Sequence, residues 1–352
     1  MTYLKRTAEG KYSDLFIIAG KAISAQKNGG LMPLEIGKLT PEQSETLVRE
    51  LYSLASRSAD RFENEKDDDF SLSVPGLARF RVSTYRQRGS RAAVIRVVNF
   101  GIPDWRQINI PEEVMRIANM TRGLVLVTGP AGSGKSTTLA CIIDAINRER
   151  SAHIITIEDP IEYLHQNQKG LVSQRELDVD TDSRLTALRT SLRQSPKVIV
   201  MEELRGLDTM EMVLSAAETG RLVISTLYTM GAANTISRII DSFPPLKQQL
   251  VRVQLAQVLQ TVVTQQMLPA ADGGQIPAFE VMHLNPAVRG MIREGRTEQI
   301  EAVLQGLAVD GMIGMDESLL QLYTTGQITR ETALYAAMNA DRLEKKMRLH
   351  MD

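Results

Sequence analysis

The order of hydrophobic and polar residues changes its pattern near residue 98. Before that point, polar and apolar residues alternate through Phe70–Val74 and Arg79–Tyr85, as in half-buried antiparallel strands. Leu15–Ala19 is also typical of a strand. Thr40-Pro41-Glu42 is typical of a helix start, because it combines a capping hydroxyl, a proline in the first turn and an acid near the helix dipole. These patterns predict a small α+β domain over residues 1–98.

Farther along the chain, short apolar segments alternate with helical patterns. The apolar segments are Leu124–Thr128, Ile154–Ile157, Val198–Met201 and Leu222–Thr226. This alternation predicts a parallel sheet covered by helices, and therefore an α/β fold. From Asn285 onward the pattern is helical and amphipathic. Residues 99–112 contain glycine and prolines and are predicted to form a linker, which leaves residues 113–352 as a C-terminal domain.

Composition narrows the class of protein. The chain has 352 residues, of which 43% are hydrophobic, and this is enough apolar material for two compact domains. A formal net charge of -1 provides no global basic surface for nucleic acid, so nucleic acid is not an expected partner. The single cysteine, Cys141, rules out an internal disulfide framework and a cysteine zinc site. We expect the charged run Lys66-Asp67-Asp68-Asp69 to form a solvated turn.

The N-terminal residues and the apolar segments indicate where in the cell the protein is expected. Met1 to Lys11 carries Lys5 and Arg6 with no apolar run behind them, so it does not have the pattern of a signal peptide. The apolar segments are too short to cross a bilayer. We therefore expect a cytoplasmic protein without a membrane span, which reaches the inner membrane only through partners.

A phosphate-binding motif is present in full. The segment Gly129-Pro130-Ala131-Gly132-Ser133-Gly134-Lys135-Ser136-Thr137 fits G-x-x-x-x-G-K-[ST], and it lies between a predicted strand and a predicted helix, Thr138–Asn147. The glycines let backbone N–H groups point at phosphate oxygens, and the helix N-terminus adds positive potential. We expect Lys135 to bridge the β- and γ-phosphates of ATP and Ser136 to ligate Mg²⁺.

Two acidic clusters follow predicted strands. Glu158-Asp159, with Glu162 shortly after, follows one strand, and Glu202-Glu203 follows another. The carboxyl ends of parallel strands face the ligand crevice, so these carboxylates are expected near the phosphates. Hydrolysis needs one group to hold magnesium and another to orient or deprotonate water. The predicted metal residues are therefore Ser136, Glu158, Asp159 and Glu202. The alternative is that the acids are helix caps or surface residues.

Several segments together resemble those of one protein family. They are the phosphate-binding motif, Thr156-Ile157-Glu158-Asp159-Pro160-Ile161-Glu162-Tyr163, Ser173-Gln174-Arg175-Glu176, Ala216-Ala217-Glu218-Thr219-Gly220 and Pro286-Ala287-Val288-Arg289-Gly290-Met291-Ile292-Arg293-Glu294. They resemble the secretion-ATPase superfamily and, closely, the PilT family of type IV pilus retraction motors. The last segment is similar to the A-I-R-N-L-I-R-E signature of retraction ATPases and favours retraction over assembly or secretion.

The resemblance implies a ring-shaped homohexamer. Each subunit would join an N-terminal PAS-like domain to a RecA-like P-loop ATPase core, with ATP between the two domains. By resemblance, Glu162 would be the general base, and Glu203 would orient water and support magnesium. Arg81 and Arg96 would reach the phosphates, where arginine neutralises charge in phosphoryl transfer. The alternative for each arginine is a surface salt bridge.

The chain departs from the family pattern T-G-H-L-V-x-x-T-L-H-T-N. Arg221 and Tyr228 stand where the family has its two histidines. Arg221 could donate to a γ-phosphate with a permanent charge, and Tyr228 could offer a hydroxyl, but neither reproduces a neutral imidazole. Glu202 replaces a glycine of the family; it could add a carboxylate near magnesium, or it could face solvent or pair with Arg205 or Arg221. These departures put the hydrolysis rate in doubt.

Several functions remain open at this stage. The leading hypothesis is a cytoplasmic motor that hydrolyses ATP to depolymerise a pilus, acting on an inner-membrane pilus platform protein and so driving twitching motility. A second hypothesis is an ATP-binding accessory ring subunit with weak hydrolysis that supports a paralogous pilus ATPase. A third is a secretion or conjugation ATPase of the same superfamily. A small-molecule kinase is disfavoured because no acceptor site is evident.

Overall fold

The computed structural model describes residues 1–27, 30–98, 101–306 and 311–349. The chain divides into two compact units. The first comprises Met1–Gly101 with Glu162–Leu164, and the second comprises Ile102–Ile161 with His165–Asp352. The predicted linker includes residues 99 and 100, and the predicted C-terminal domain includes 307–310 and 350–352; these lie outside the described residues. The predicted domain boundaries and the linker stay predictions.

The first unit is an antiparallel sheet with helices. Its described elements are α1 (Thr2–Glu9), β1 (Asp14–Ile17), β2 (Ser24–Lys27), β3 (Gly30–Pro33), α2 (Pro41–Leu54), α3 (Ala59–Asn64), β4 (Asp68–Val74), β5 (Ala78–Gln87) and β6 (Ser90–Val98). The strand order is β3-β2-β1-β6-β5-β4, and each neighbouring pair is antiparallel. The alternation predicted for β4 and β5 is confirmed, because their buried residues occur at every second position.

Helix α2 begins where its sequence signals place it. The Thr40 hydroxyl accepts a hydrogen bond from the Gln43 N–H at 3.2 Å, and Gln43 Oε1 accepts one from the Thr40 N–H at 2.9 Å. This reciprocal capping satisfies two N–H groups that the helix itself leaves unpaired. The helix then places Val48, Leu51 and Tyr52 in the apolar core of the unit, against side chains of the sheet.

The expectation of a solvated turn at Lys66–Asp69 is wrong for Asp68. Strand β4 begins at Asp68, two residues before the predicted start, and its alternation places that side chain on the buried face with 5% exposure. Arg57 compensates the buried charge by donating to both carboxylate oxygens, at 2.6 and 3.2 Å. A buried carboxylate needs such a partner, and the partner is supplied from a separate segment.

The second unit is a sheet covered by helices. Its described helices are α4 (Glu112–Met115), a 3₁₀ helix (Arg116–Asn119), α5 (Lys135–Glu149), α6 (Arg184–Ser191), α7 (Leu207–Glu218), α8 (Ala232–Asp241), α9 (Pro245–Val258), α10 (Pro286–Glu294), α11 (Gln299–Gly306), α12 (Met315–Thr324), α13 (Arg330–Ala336) and α14 (Ala340–Leu349). Its described strands are β7 (Gly123–Thr128), β8 (His153–Glu158), β9 (Leu171–Glu176), β10 (Val198–Met201), β11 (Leu222–Leu227), β12 (Leu259–Pro269) and β13 (Gln275–His283).

The sheet of the second unit is mixed, with a parallel body. Its strand order is β13-β12-β7-β11-β10-β8-β9, and every pair is parallel except β12 with β13. The predicted α/β fold with a parallel sheet is confirmed. Strands β7, β10 and β11 are buried along their whole length, as strands covered on both faces must be. The hairpin of β12 and β13 was not predicted.

The predicted helical region at the C-terminal end is confirmed within the described residues. Asn285 caps α10 by accepting a hydrogen bond from the Val288 N–H at 2.9 Å, and α11 to α14 follow. Across the described ranges, none of the helices combines the length and the apolar character needed to span a membrane.

Candidate functional site

The phosphate-binding segment forms a tight loop between β7 and α5. Gly129, Gly132 and Gly134 have φ angles of 141°, 76° and 88°. A Cβ at Gly129 would stand 2.2 Å from the carbonyl oxygen of Gln265, so only glycine fits there. Helix α5 begins at Lys135, three residues before the predicted start, and its N-terminus therefore faces the loop. This is the backbone arrangement that binds anions.

The Lys135 side chain lies within the loop that precedes it. Its Nζ donates to the carbonyl oxygens of Gly129 and Pro130 at 2.9 and 2.8 Å, and the residue is only 8% exposed. The Nζ atom also lies 4.3 Å from the ring centroid of Tyr228, within the range of a cation–π contact. Lys135 is thus held at the loop by carbonyl oxygens and by an aromatic face.

Strand β12 supports the loop through Gln265, which sequence reasoning missed. Gln265 is 1% exposed, and its Nε2 donates to the Ser133 carbonyl oxygen at 2.5 Å. Within the described residues, the buried Gln265 Oε1 and Ser133 Oγ have no hydrogen-bond partner. Buried polar atoms normally have one, so an anion-binding loop with a spare hydroxyl fits a phosphate ligand. A signal was present, since a glutamine is rare in a fully buried strand.

The acidic clusters lie at one edge of the sheet, as predicted. Met201 pairs with Ile157 in the parallel register of β10 and β8, so Glu158-Asp159 and Glu202-Glu203 emerge side by side at the carboxyl ends of the strands. The phosphate-binding loop follows β7 at the same edge, with β11 between β7 and β10. The arrangement is that of a ligand crevice in an open α/β sheet.

Three of the predicted metal residues already have protein partners. Glu158 Oε1 accepts hydrogen bonds from Thr156 Oγ1 at 2.5 Å and Gln174 Nε2 at 2.9 Å. Asp159 Oδ2 accepts one from Arg184 at 2.6 Å. Glu202 Oε2 accepts one from the backbone N–H of Asp159, so Glu202 ties the two strand ends together.

The donor set decides what kind of metal the site could hold. Among the residues that the structure describes, no group of three or more His, Cys, Asp or Glu side chains is arranged to hold a metal ion. Mg²⁺ needs few protein ligands, because it keeps several waters and is bound largely through nucleotide phosphates. The hydroxyl of Ser136, beside Lys135 in the first turn of α5, fits that limited role. The metal assignments of Ser136, Glu158, Asp159 and Glu202 stay predictions.

Glu203 differs from the other acids of the edge. It is half-buried and, within the described residues, makes no hydrogen bond or ion pair. The next residue, Leu204, donates its N–H to the Thr226 carbonyl oxygen at 2.9 Å, which keeps this segment beside β11 and close to the strand of the phosphate loop. A carboxylate held in place with its oxygens unengaged is suited to orient water.

Glu162, Arg81 and Arg96 belong to the first unit. Glu162 is exposed. Arg81 and Arg96 are directly opposite each other on β5 and β6, and both are exposed. Arg96 Nε donates to Asp14 Oδ1 at 2.9 Å, so Arg96 forms a salt bridge, the alternative role expected for this arginine. The catalytic roles of the three residues stay predictions.

Arg221 and Tyr228 occupy opposite ends of β11. Arg221 precedes the strand, where its guanidinium donates to the Thr219 hydroxyl and, at 3.1 Å, to the Leu192 carbonyl oxygen at the C-terminus of α6. Six strand residues, or about 20 Å, separate it from the phosphate-loop edge. Arg221 therefore does not donate to a phosphate bound at the loop of its own subunit. Tyr228 follows the strand and lies at the loop.

A cavity of about 360 Å³ opens beside the start of α5. Its walls include apolar side chains and polar groups: Ile108, Ile110, Met267, Phe279, Thr137 and Gln275. Residues 107–110 lie in the segment predicted to be a linker, and within the second unit Ile110 is part of the apolar core. An apolar cavity with a few polar groups, next to a phosphate-binding loop, suits the base and sugar of a nucleotide.

Comparison with known proteins is consistent with this geometry. A family model described as type II/IV secretion system protein matches residues 47–341. The type IV pilus retraction ATPase PilT of Pseudomonas aeruginosa is 40% identical over 321 residues, which cover 91% of this chain and 93% of that protein. The type IV pilus ATPase PilU of the same organism is 38% identical over 347 residues, which cover 98% of this chain and 90% of that protein.

A solved structure of a relative has the same fold over nearly the whole chain. A crystal structure of the pilus retraction motor PilT with bound ADP superposes with a TM-score of 0.90 at 40% identity, and it covers 97% of this chain and 98% of that one. The similarity therefore extends over both units, including the loop, the acidic edge and the C-terminal helices.

Proposed function

Because the chain belongs to the type II/IV secretion system protein family and, within it, to the PilT family, we propose that it is an ATP-hydrolysing motor that drives retraction of type IV pili. The observation that carries this proposal is the placement, at one edge of the sheet, of a complete phosphate-binding loop and of the Glu203 carboxylate, which makes no hydrogen bond or ion pair with the part of the chain that the structure describes. Relatives of nearly the same length are named as a retraction ATPase and a pilus ATPase.

The chemistry follows from the residues of the second unit. The loop N–H groups and Lys135 bind the phosphates, and the cavity lined by Ile108, Met267 and Phe279 takes the adenosine. Mg²⁺, when bound with the nucleotide, supplies charge neutralisation at the phosphates, and Ser136 would be its protein ligand. Glu203 orients the attacking water. Glu162 would accept its proton, and Arg81 and Arg96 would stabilise negative charge, in roles implied by the family.

The assembly and location belong to the same proposal. The working form is a ring of six copies in the cytoplasm that acts on a pilus platform protein at the inner membrane, with a paralogous pilus ATPase as a further partner. Arg293 is exposed on α10 and is a candidate contact for the platform. Arg289 is instead used within the subunit: it donates to the Gln257 carbonyl oxygen of α9 at 3.2 Å and to Gln260 Oε1 of β12 at 3.1 Å, so it packs α10 against both elements.

The experiment that tests the proposal is steady-state ATP hydrolysis by the purified protein and its variants. Lys135→Ala and Glu203→Ala are each expected to lower turnover by about a hundredfold or more, since each removes a group acting at the phosphates or the water. Glu149→Ala, an exposed acid at the far end of α5, is the matched control and should leave turnover unchanged. A strain that lacks the protein and still retracts its pili normally would contradict the motor proposal.

A second candidate function is an ATP-binding ring subunit with weak hydrolysis that supports another motor. The observation in its favour is Tyr228, which takes a histidine position of the family and covers Lys135. Binding of ATP without turnover, together with acceleration of a paralogous motor on mixing, would support it. Turnover by the isolated protein that Lys135→Ala abolishes would exclude it.

A further inference from the structure

Tyr228 and Lys135 form a contact that the hydrolysis mechanism does not use. The Tyr228 ring centroid lies 4.3 Å from Lys135 Nζ, well within the roughly 6 Å at which a cation is attracted to an aromatic face. The ring is 57% exposed, so one side of it contacts the lysine and much of the rest faces solvent. The contact joins the residue after β11 to the first residue of the helix that follows the phosphate loop.

The ammonium group has a limited number of donors. A lysine has three N–H bonds, and Lys135 directs two hydrogen bonds to the Gly129 and Pro130 carbonyl oxygens. The aromatic ring lies over the same ammonium group. A phosphate that binds Lys135 therefore competes with these carbonyl oxygens and with the ring, which lies outside the loop.

The chain around Tyr228 is fixed on both sides. Leu227 is buried at the end of β11. Thr229 Oγ1 lies 2.7 Å from Thr235 Oγ1 of α8, and Ala232 donates its N–H to Glu280 Oε1 at 2.8 Å. The backbone that carries the ring is thus held by a buried strand and a helix N-terminus, and a change of ring position requires only rotation of the side chain.

We propose that Tyr228 is a positioning residue for Lys135 that competes with phosphate for the lysine ammonium group and so weakens binding of nucleotides with a β-phosphate. The inference rests on the proposed nucleotide-binding function and deepens it, because it assigns one side chain to the control of affinity. The family has a histidine at this position, and the imidazole of histidine has a smaller aromatic face than the phenol ring of Tyr228.

The test compares ADP with AMP by calorimetric titration of the purified protein. Tyr228→Ala is expected to lower the Kd for ADP about three- to tenfold, the range of one cation–π contact. The Kd for AMP should not change, because AMP has no β-phosphate to reach Lys135. Tyr228→Phe keeps the ring and should bind ADP as the unmodified protein does. Tyr335→Ala, which removes a 94% exposed tyrosine on α13, is the matched control.

The decisive measurement is whether the effect of Tyr228→Ala on ADP binding depends on the presence of Lys135. In a protein that already carries Lys135→Ala, the further change Tyr228→Ala is expected to leave the Kd for ADP unchanged. The ring then has no lysine ammonium group to contact, so its removal cannot affect phosphate binding through Lys135. Thermal unfolding of each variant separates loss of fold from loss of affinity.

Each remaining outcome has a distinct meaning. If Tyr228→Ala weakens ADP binding, or changes ADP and AMP binding equally, the ring does not compete with phosphate and the inference is wrong. An effect of Tyr228→Phe as large as that of Tyr228→Ala would assign the competition to the hydroxyl and also overturn it. If the unmodified protein fails to bind ADP, the proposed function itself fails, and the inference with it.

Discussion

At the scale of single residues, Gln265 shows how a site depends on a side chain remote in sequence. Its amide donates to the carbonyl oxygen of Ser133 from a strand that lies 132 positions later in the chain. The motif G-x-x-x-x-G-K-[ST] is local, so the sequence identifies the loop. The support of the loop comes from β12, and no spacing rule links a glutamine in a distant strand to Ser133.

Replacement of Gln265 tests this support. Gln265→Ala leaves the Ser133 carbonyl oxygen without its donor and opens a small cavity, so we expect a loss of about 1–3 kcal/mol in the free energy of unfolding. We also expect weaker ADP binding because the loop is less fixed. Urea unfolding and ADP titration measure the two effects.

The neighbouring glutamine is the matched control. Gln266 Nε2 donates to the Ala336 carbonyl oxygen at 3.0 Å, away from the loop. Gln266→Ala should lower stability through the same kind of lost hydrogen bond and leave the Kd for ADP unchanged. Equal effects of the two variants on ADP binding would show that Gln265 has no special role at the loop.

The buried ion pair of Arg57 and Asp68 is a second residue-scale feature that sequence reasoning did not anticipate. The side chains are 16% and 5% exposed, and the shortest distance between them is 2.6 Å. Asp68→Ala leaves the Arg57 guanidinium without its carboxylate in a mostly buried position. We expect a loss of about 2–4 kcal/mol in the unfolding free energy of the first unit.

The comparison for Asp68→Ala is Glu45→Ala in the same unit. The pair of Glu45 with Arg49 is half exposed on both sides, and such pairs contribute less than about 1 kcal/mol. Urea unfolding followed by the NMR signals of the Tyr52 ring, which lies in the same core, reports on both variants. Similar small losses for both would mean that the Asp68 pair contributes no more than an exposed one.

At the scale of elements, Glu280 joins two helix N-termini. It lies on β13 with 5% exposure, and its carboxylate accepts hydrogen bonds from Ala232, at the start of α8, and from the backbone of Met315, at the start of α12. Burial raises the pKa of Glu280 from its ordinary value of 4.5 to about 7, although the two backbone hydrogen bonds act in the opposite direction. The nearby acids Glu301 and Asp316 raise it further.

This shift predicts a pH dependence of stability. Between pH 4.5 and about 7 the folded protein holds a proton on Glu280 that the unfolded chain releases, so stability falls as the pH rises through this window. The full effect is on the order of 3 kcal/mol, from about 1.4 kcal/mol for each pKa unit.

Glu280→Gln removes the titration and isolates the effect. Denaturant unfolding at pH 5 and pH 8 should show the stability of the unmodified protein decreasing relative to Glu280→Gln as the pH rises. For Glu45→Gln, at an exposed position, the free energy of unfolding should change with pH by the same amount as it does for the unmodified protein. A constant difference between the unmodified protein and Glu280→Gln at both pH values would contradict the assignment.

The elements that could be predicted are those with a local pattern. The boundaries of β10 agree with the predicted segment, and α2 begins at its capping box, because an apolar run and a cap are each readable within a few residues. The hairpin of β12 and β13 was missed because β12 follows α9 without a break and contains buried threonine and glutamine. The turn Asp272-Gly273-Gly274 was a usable signal, since such residues connect hairpin strands.

At the scale of the whole molecule, the order of strands in the second sheet explains which features of the site could be predicted from the sequence. The acids lie at the carboxyl ends of β8 and β10, and the lysine follows β7; β11 separates β7 from β10. A general rule on the carboxyl ends of parallel strands was enough to predict one shared edge. The rule does not specify hydrogen-bond partners, so it could not distinguish the engaged carboxylates of Glu158, Asp159 and Glu202 from that of Glu203.

The position of β7 inside its sheet, between β12 and β11, has a consequence for how the chain is made. The strand is apolar along its length, and its two neighbours are β11 and β12. Thr128 contacts Thr264, which is 136 positions later. At about 5–20 residues per second, ribosomes need about 7–27 seconds to synthesise that interval. Until β12 is made, the apolar strand lacks at least one of its two neighbours, and an unpaired apolar segment is prone to aggregate. The phosphate-binding loop that follows β7 therefore gains its support from Gln265 only after β12 is made, and protection of the new chain is useful over that interval.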